Sequence, residues 1–168
     1  LEEWSENDFA KHIIVLDRAG TAPKISGSRY RQIRHYDYND TDADREMLQQ
    51  ICDEENADIF ISSYYTTPIT TPSVLMVHDM IPEVMGWDLN HPMWQEKHDG
   101  IQHASAYIAV SENTARDLVK CFPDINSDSI TVAPLGVKNI FKPAEAEDIN
   151  TFKTKYGITK PYFLLVGP

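Results

Sequence analysis

Ser73-Val74-Leu75-Met76-Val77-His78-Asp79-Met80-Ile81-Pro82-Glu83 is an apolar run that breaks off into a histidine, an aspartate and, four residues after the aspartate, a glutamate. Residues 74–77 have the unbroken apolar character of a parallel strand covered on both faces. A polar pair directly after such a strand lies at its carboxyl end, where open α/β sheets bind their ligands.

The same pattern recurs along the chain. Lys11 to Leu16 ends in Asp17-Arg18, and Asp58-Ile59-Phe60-Ile61 ends in Ser62-Ser63-Tyr64-Tyr65. Tyr107-Ile108-Ala109-Val110 ends in Ser111-Glu112, and Ile130-Thr131-Val132-Ala133 ends in Pro134-Leu135-Gly136. Arg31 to Tyr36 reads as a weaker strand suited to a sheet edge. Helical segments separate these runs. Thr41 to Glu55 carries Met47, Leu48 and Ile51 at helical spacing, and Thr41 with Asp44 fits a capping box. Pro92 occupies a first helical turn in a segment through His103, and Ser111 is placed to cap a helix running toward Lys120. Pro82 is expected to interrupt any helix between Asp79 and Glu83. The alternation gives an α/β fold: a Rossmann-like parallel sheet with helices on both faces.

Composition narrows the function. The chain has 168 residues, 42% of them hydrophobic and 24% charged, enough for a domain with its own core. Fifteen basic against twenty-six acidic residues give a net charge of −11, which repels phosphate backbones and anionic lipid headgroups. Nucleic acid is therefore excluded as a partner, and membrane contact through this part of the chain is disfavoured. No apolar segment is long enough to cross a bilayer, and the opening Leu1 to Glu6 is acidic where a leader peptide is basic, so the expected location is cytoplasmic. Cys52 and Cys121 form no ligand cluster and read as reduced helical thiols.

His78 and Asp79 are the leading chemical candidates. A histidine at a strand end can donate to a hydroxyl or phosphoryl oxygen, and the adjacent carboxylate can fix sugar hydroxyls or accept a proton. The competing reading is a histidine satisfied by a backbone carbonyl and an aspartate capping the next turn. Glu83 would add a second carboxylate for a metal-assisted hydrolase built on His78, Asp79 and Glu83, with His98 or His103 as further ligands, yet no spacing resembles a known metal set, so no metal is expected. The segment Ser62-Ser63-Tyr64-Tyr65-Thr66-Thr67-Pro68 combines hydroxyls with two rings, which suits a sugar. Ser111 and Glu112 open a helix whose free N–H groups attract an anion or accept the serine as a cap. Gly136 offers either a turn with positive φ or close backbone approach to a ligand. Trp87 and Trp94 read as packing residues with exposed edges, and the acidic run Asp37 to Asp42 as a solvated turn.

Taken in order, Asp58 to Ser62, Tyr64 to Pro68, Val77 to Glu83, Ala109 to Thr114, Val132 to Val137 and Tyr162 to Gly167 resemble the first half of a family-4, retaining glycosyltransferase of GT-B type. Bacterial mannosyltransferase-like members (glycosyl transferase group 1) that assemble polysaccharides are the most similar. The resemblance covers residues 58–168. It implies two Rossmann-like domains facing a cleft, the first binding the acceptor and the second a nucleotide-sugar such as a GDP- or UDP-hexose, with transfer that retains anomeric configuration and needs neither a cofactor nor a metal. By resemblance His78 contacts the donor sugar, Asp79 supports that loop or touches the sugar hydroxyls, Tyr64 and Tyr65 line the saccharide or glycolipid acceptor, and Ser111, Glu112 and Gly136 lie on loops facing the cleft.

The same resemblance divides the chain into an acceptor-binding domain over 1–141, a linker with a short helix over 142–160, and the first strand of a nucleotide-sugar-binding domain over 161–168. Pattern alone allows Tyr162 to Val166 to complete the first sheet instead. The family opens with a strand and a glycine-rich loop, whereas Leu1 to Phe9 reads as a helix, so that element is expected upstream. The isolated 168 residues are expected to be inactive. A non-catalytic glycan-binding module is the alternative.

Overall fold

The computed structural model describes residues 8–24, 26–137 and 140–165. The chain divides into two compact units, Leu1–Pro134 and Leu135–Pro168.

Among the described residues the first unit holds six parallel strands in two sheets, where the sequence pattern implies one. Strands β1 (Ile14–Asp17) and β2 (Arg29–Gln32) pair with each other, and β3 (Phe60–Ser62), β4 (Ser73–Val77), β5 (Ala106–Ala109) and β6 (Ile130–Val132) form a four-stranded sheet in that order. Its helices are α1 (Thr41–Glu55), α2 (Ile81–Val84), α3 (Pro92–His103) and α4 (Glu112–Cys121). Sequential parallel neighbours need a crossover between them; α3 supplies it from β4 to β5 and α4 from β5 to β6.

β4 coincides with the apolar run because both of its faces are covered. Ser73, Leu75 and Val77 are buried, and Val74 and Met76 on the opposite face are half-buried. Leu75 and Val77 join Met80, Ile101, Tyr107 and Leu118 in the core, with Phe122, Ile125 and Ile130 packed around it. The Tyr107 hydroxyl reaches that core because it donates to the Ile101 carbonyl oxygen at 2.7 Å. β3 is an edge of the sheet, so Ile61 stays half exposed although it belongs to an apolar run.

Several local expectations need correction. β1 starts at Ile14 and not Lys11, because Asp8–His12 is a 3-10 turn; residues 1–7 of the expected opening helix lie outside the described residues. β2 is shifted two residues upstream, where Arg29 and Arg31 pair with Glu55 and Glu54 at the end of α1. α1 has the expected bounds, but Asp40 is its N-cap, makes no side-chain cap bond, and no capping box forms. Asp44 instead turns inward, where the Arg18 guanidinium grips both its oxygens at 2.8 and 2.7 Å; a bidentate, charge-assisted pair outcompetes a single backbone cap. Pro82 does not interrupt the chain between Asp79 and Glu83. It falls in the first turn of α2, where its missing N–H costs no helical bond.

The second unit contains α5 (Ala146–Lys155), whose Phe152 ring packs 4.6 Å from Tyr156 just past its end. Residues 161–165 form no strand, and Phe163, Leu164 and Leu165 are exposed. An apolar run becomes a parallel strand only against a neighbouring ladder, and here the described residues provide none. Val166 and Gly167 lie outside the described residues.

Candidate functional site

Three consecutive strand ends are stitched together at His78. The residue follows β4, and its imidazole Nε2 lies 3.0 Å from the carbonyl oxygen of Ser63 in the loop after β3. Its own carbonyl oxygen accepts from the Thr114 hydroxyl of α4, the helix after β5, at 3.4 Å. Thr114 is fixed in turn by Ser111, whose hydroxyl accepts the Thr114 N–H at 3.1 Å and lies 3.0 Å from the Thr114 hydroxyl. Ser111 is thus the N-cap of α4, as its sequence position requires. Because a carbonyl only accepts, the His78 Nε2 carries the proton, and in the neutral ring Nδ1 keeps its lone pair. The imidazole itself is exposed.

Asp79 adopts the capping role that its position also allows. Its Oδ1 accepts the Ile81 N–H at 3.0 Å, which shapes the start of α2. The carboxylate still acts on Tyr65. Burial first, then Tyr64, then the charges of Asp79 and Glu83 push the Tyr65 phenol upward, so this hydroxyl keeps its proton at every physiological pH.

Tyr64 and Tyr65 stack on each other with centroids 4.0 Å apart and planes 25° apart. Ser62, buried at the end of β3, donates to the Tyr64 carbonyl oxygen at 3.1 Å and holds the turn that presents them. The array continues through Trp94, 6.5 Å from Tyr65, to Trp87, 6.0 Å beyond. Gly100 in α3 admits this arrangement, since a Cβ there would stand 2.6 Å from the Tyr65 carbonyl oxygen. No sequence signal distinguishes that glycine from one in a weak helix.

Glu83 has another occupation. One oxygen accepts from Lys97 Nζ at 2.8 Å and the other lies 3.0 Å from His98 Nε2; the Glu83 and Lys97 side chains are buried and His98 is half-buried, and the triad ties α2 to α3. Both oxygens are spoken for, which withdraws Glu83 from any carboxylate chemistry beside His78. His103 likewise contacts the Thr71 carbonyl oxygen at 3.1 Å. Among the described residues no group of three or more His, Cys, Asp or Glu side chains is placed to hold a metal ion, and no helix of those residues is long and apolar enough to cross a membrane. Cys52 is buried and Cys121 half-buried, and burial raises both thiols.

His78, Ser111, Tyr64, Tyr65 and Asp79 therefore all lie at the carboxyl ends of β3, β4 and β5, with His78 and Ser111 joined through Thr114, and Glu112 is exposed in the first turn of α4. Gly136 belongs to the second unit. Its φ is not positive and a Cβ would meet nothing within 4 Å, so neither the positive-φ turn nor a crowded backbone accounts for it. The contacts of the Ser63 carbonyl and the Thr114 hydroxyl with His78 escape sequence reasoning, because neither group carries a long-range signature.

The model of Glycosyltransferase Family 4 matches residues 2–139. The chain belongs to this family. No curated protein matches it. Residues 2–57 of the family-4 match carry none of the motifs on which the resemblance rests, so membership extends the relationship across β1, β2 and α1. For a glycosyltransferase domain, the strand-end network around His78 lies where open α/β sheets hold ligands.

Proposed function

We propose that this chain supplies the acceptor-binding side of a glycosyltransferase that moves a hexose, mannose or a close relative, from a nucleotide-sugar to a saccharide or glycolipid with retention of anomeric configuration, in polysaccharide or glycan assembly in the cytoplasm. A second Rossmann-like domain holds the GDP- or UDP-hexose. The observation that carries this reading is the convergence of three strand-end loops on His78 in a family-4 domain.

In the reaction, alignment and charge stabilisation supply the rate. The Ser63 carbonyl fixes the tautomer of His78, which leaves Nδ1 to accept from a hydroxyl of the donor sugar and hold it in register. Asp79 keeps the His78 loop in shape through Ile81, while Tyr64 and Tyr65 offer ring faces and hydroxyls to the acceptor. Glu112 contributes to the acceptor side from the first turn of α4. No metal enters this scheme.

The test uses the protein carrying both domains, a panel of GDP- and UDP-hexoses and mannoside acceptors, with the product anomer read by proton NMR. Transfer from one of these donors with retention supports the reading. Hydrolysis without transfer, or a product of inverted configuration, contradicts it.

A further inference from the structure

Trp87 leaves 52% of its surface in water in the loop between α2 and α3. It is one end of the ring array described above, and Tyr64, the other end, is also exposed, while the inner rings of Trp94 and Tyr65 are half-buried. The inner pair therefore anchors the outer pair, with Tyr64 stacked on Tyr65 at 4.0 Å and Trp87 set edge-on to Trp94 at 6.0 Å.

The rim beside Trp87 is polar and already ordered. Asp88 Oδ1 accepts both the backbone and side-chain N–H of Asn90, at 3.0 and 2.7 Å, and His91 caps α3 by accepting from the Met93 N–H. Ligands that lie flat on aromatic rings are nucleobases, organic cations and the C–H faces of sugars. A net charge of −11 with Asp79 and Asp88 nearby in the chain opposes a polyphosphate-bearing base, and a glycosyltransferase handles sugar on both sides of its reaction. Carboxylates and amides beside apolar rings are the complement of an uncharged polyol.

We propose that Trp87 and Tyr64 are the two outer stations of an acceptor subsite for a saccharide of at least two residues. Trp87 carries a sugar ring removed from the one that is extended, so the enzyme prefers an oligosaccharide to a monosaccharide. The proposal rests on the acceptor reading above.

Binding to the full 168-residue chain is measured by saturation-transfer NMR with methyl α-mannopyranoside, α-linked mannobiose, maltose and cellobiose. The expected result is a disaccharide that binds roughly tenfold more tightly than the monosaccharide, an advantage that Trp87→Ala abolishes and Trp87→Phe largely keeps. Unchanged near-ultraviolet and far-ultraviolet circular dichroism of the remaining chromophores verifies folding. Full disaccharide affinity in Trp87→Ala overturns the platform and leaves the acceptor reading standing. Absence of binding of all four sugars to the unmodified chain overturns both. Self-association that Trp87→Ala abolishes, seen by sedimentation, assigns the patch to a second copy and also overturns the proposal.

Discussion

The imidazole Nε2 of His78 and the carbonyl oxygen of Ser63 lie 3.0 Å apart and join the loop after β3 to the end of β4. This contact does what the plainer reading of a strand-end histidine requires, yet it also fixes which nitrogen carries the proton. Nitrogen-15 NMR of the histidine side chains is expected to show His78 as the Nε2–H tautomer when neutral. A dominant Nδ1–H form contradicts the contact.

The Glu83, Lys97 and His98 triad predicts asymmetric energetics. Removing one member of a buried pair strands its partner's charge, so Glu83→Ala or Lys97→Met is expected to cost about 3–5 kcal/mol in urea denaturation. The double variant Glu83→Leu with Lys97→Met, which strands no charge between those two groups, loses less than the sum of the single changes. Additive losses argue against a coupled pair.

Arg18 and Asp44 pose the same question on the β1 side. Asp44 is 0% exposed, so Arg18→Ala leaves its carboxylate buried, with the more distant Arg34 Nε at 3.9 Å as its remaining ion-pair partner among the described residues. A loss of about 3 kcal/mol in the same measurement is expected. A change below about 0.5 kcal/mol shows that the pair contributes like a surface one.

Glu96 sets a pH dependence. It is 3% exposed, its Oε1 has no hydrogen-bond partner among the described residues, and burial, with Asp99, Asp44 and Asp42 against a single opposing Arg45, raises its pKa to about 7. A carboxyl whose folded pKa exceeds its unfolded one keeps its proton in the native state while the unfolded chain has already lost it. Its contribution to stability therefore declines as pH rises from about 4.5 to about 7, by on the order of 3 kcal/mol. Glu96→Gln removes that decline, so the difference between the two proteins in chemical denaturation shrinks on acidification. A pH-independent difference contradicts the assignment.

Gly100→Ala tests the packing beneath the tyrosines. Its Cβ would stand 2.6 Å from the Tyr65 carbonyl oxygen, a backbone atom that cannot swing away. The expected loss is about 1–3 kcal/mol, against the gain of a few tenths to 1 kcal/mol that helix propensity alone gives. A stabilised variant refutes the close approach.

Local signals read directly from the sequence where the fold added nothing to them. β4 spans Ser73–Val77, α1 spans Thr41–Glu55, Pro92 starts α3 and Ser111 caps α4. Each depends on neighbours within one or two turns or on continuous burial. The strand-end grouping of His78, Tyr64, Tyr65 and Ser111 follows from parallel order alone. What sequence pattern does not carry are pairings over distance. Arg18 meets Asp44 from 26 residues away and Glu83 meets Lys97 from 14, and these pairs decide that Asp44 is no cap and Glu83 no catalyst. The run Tyr162 to Leu165 is apolar enough for a strand but pairs with no strand among the described residues, and the split into two sheets concerns which edges meet.

In the proposed reaction His78 acts on the sugar being transferred and is more than a structural tie. The decisive measurement is turnover of nucleotide-sugar by His78→Ala in the protein carrying both domains, read beside its thermal unfolding. The expected kcat is lower by roughly a hundredfold or more, with an unfolding midpoint close to that of the unmodified protein because the side chain is exposed. Normal turnover by a folded His78→Ala protein would contradict it.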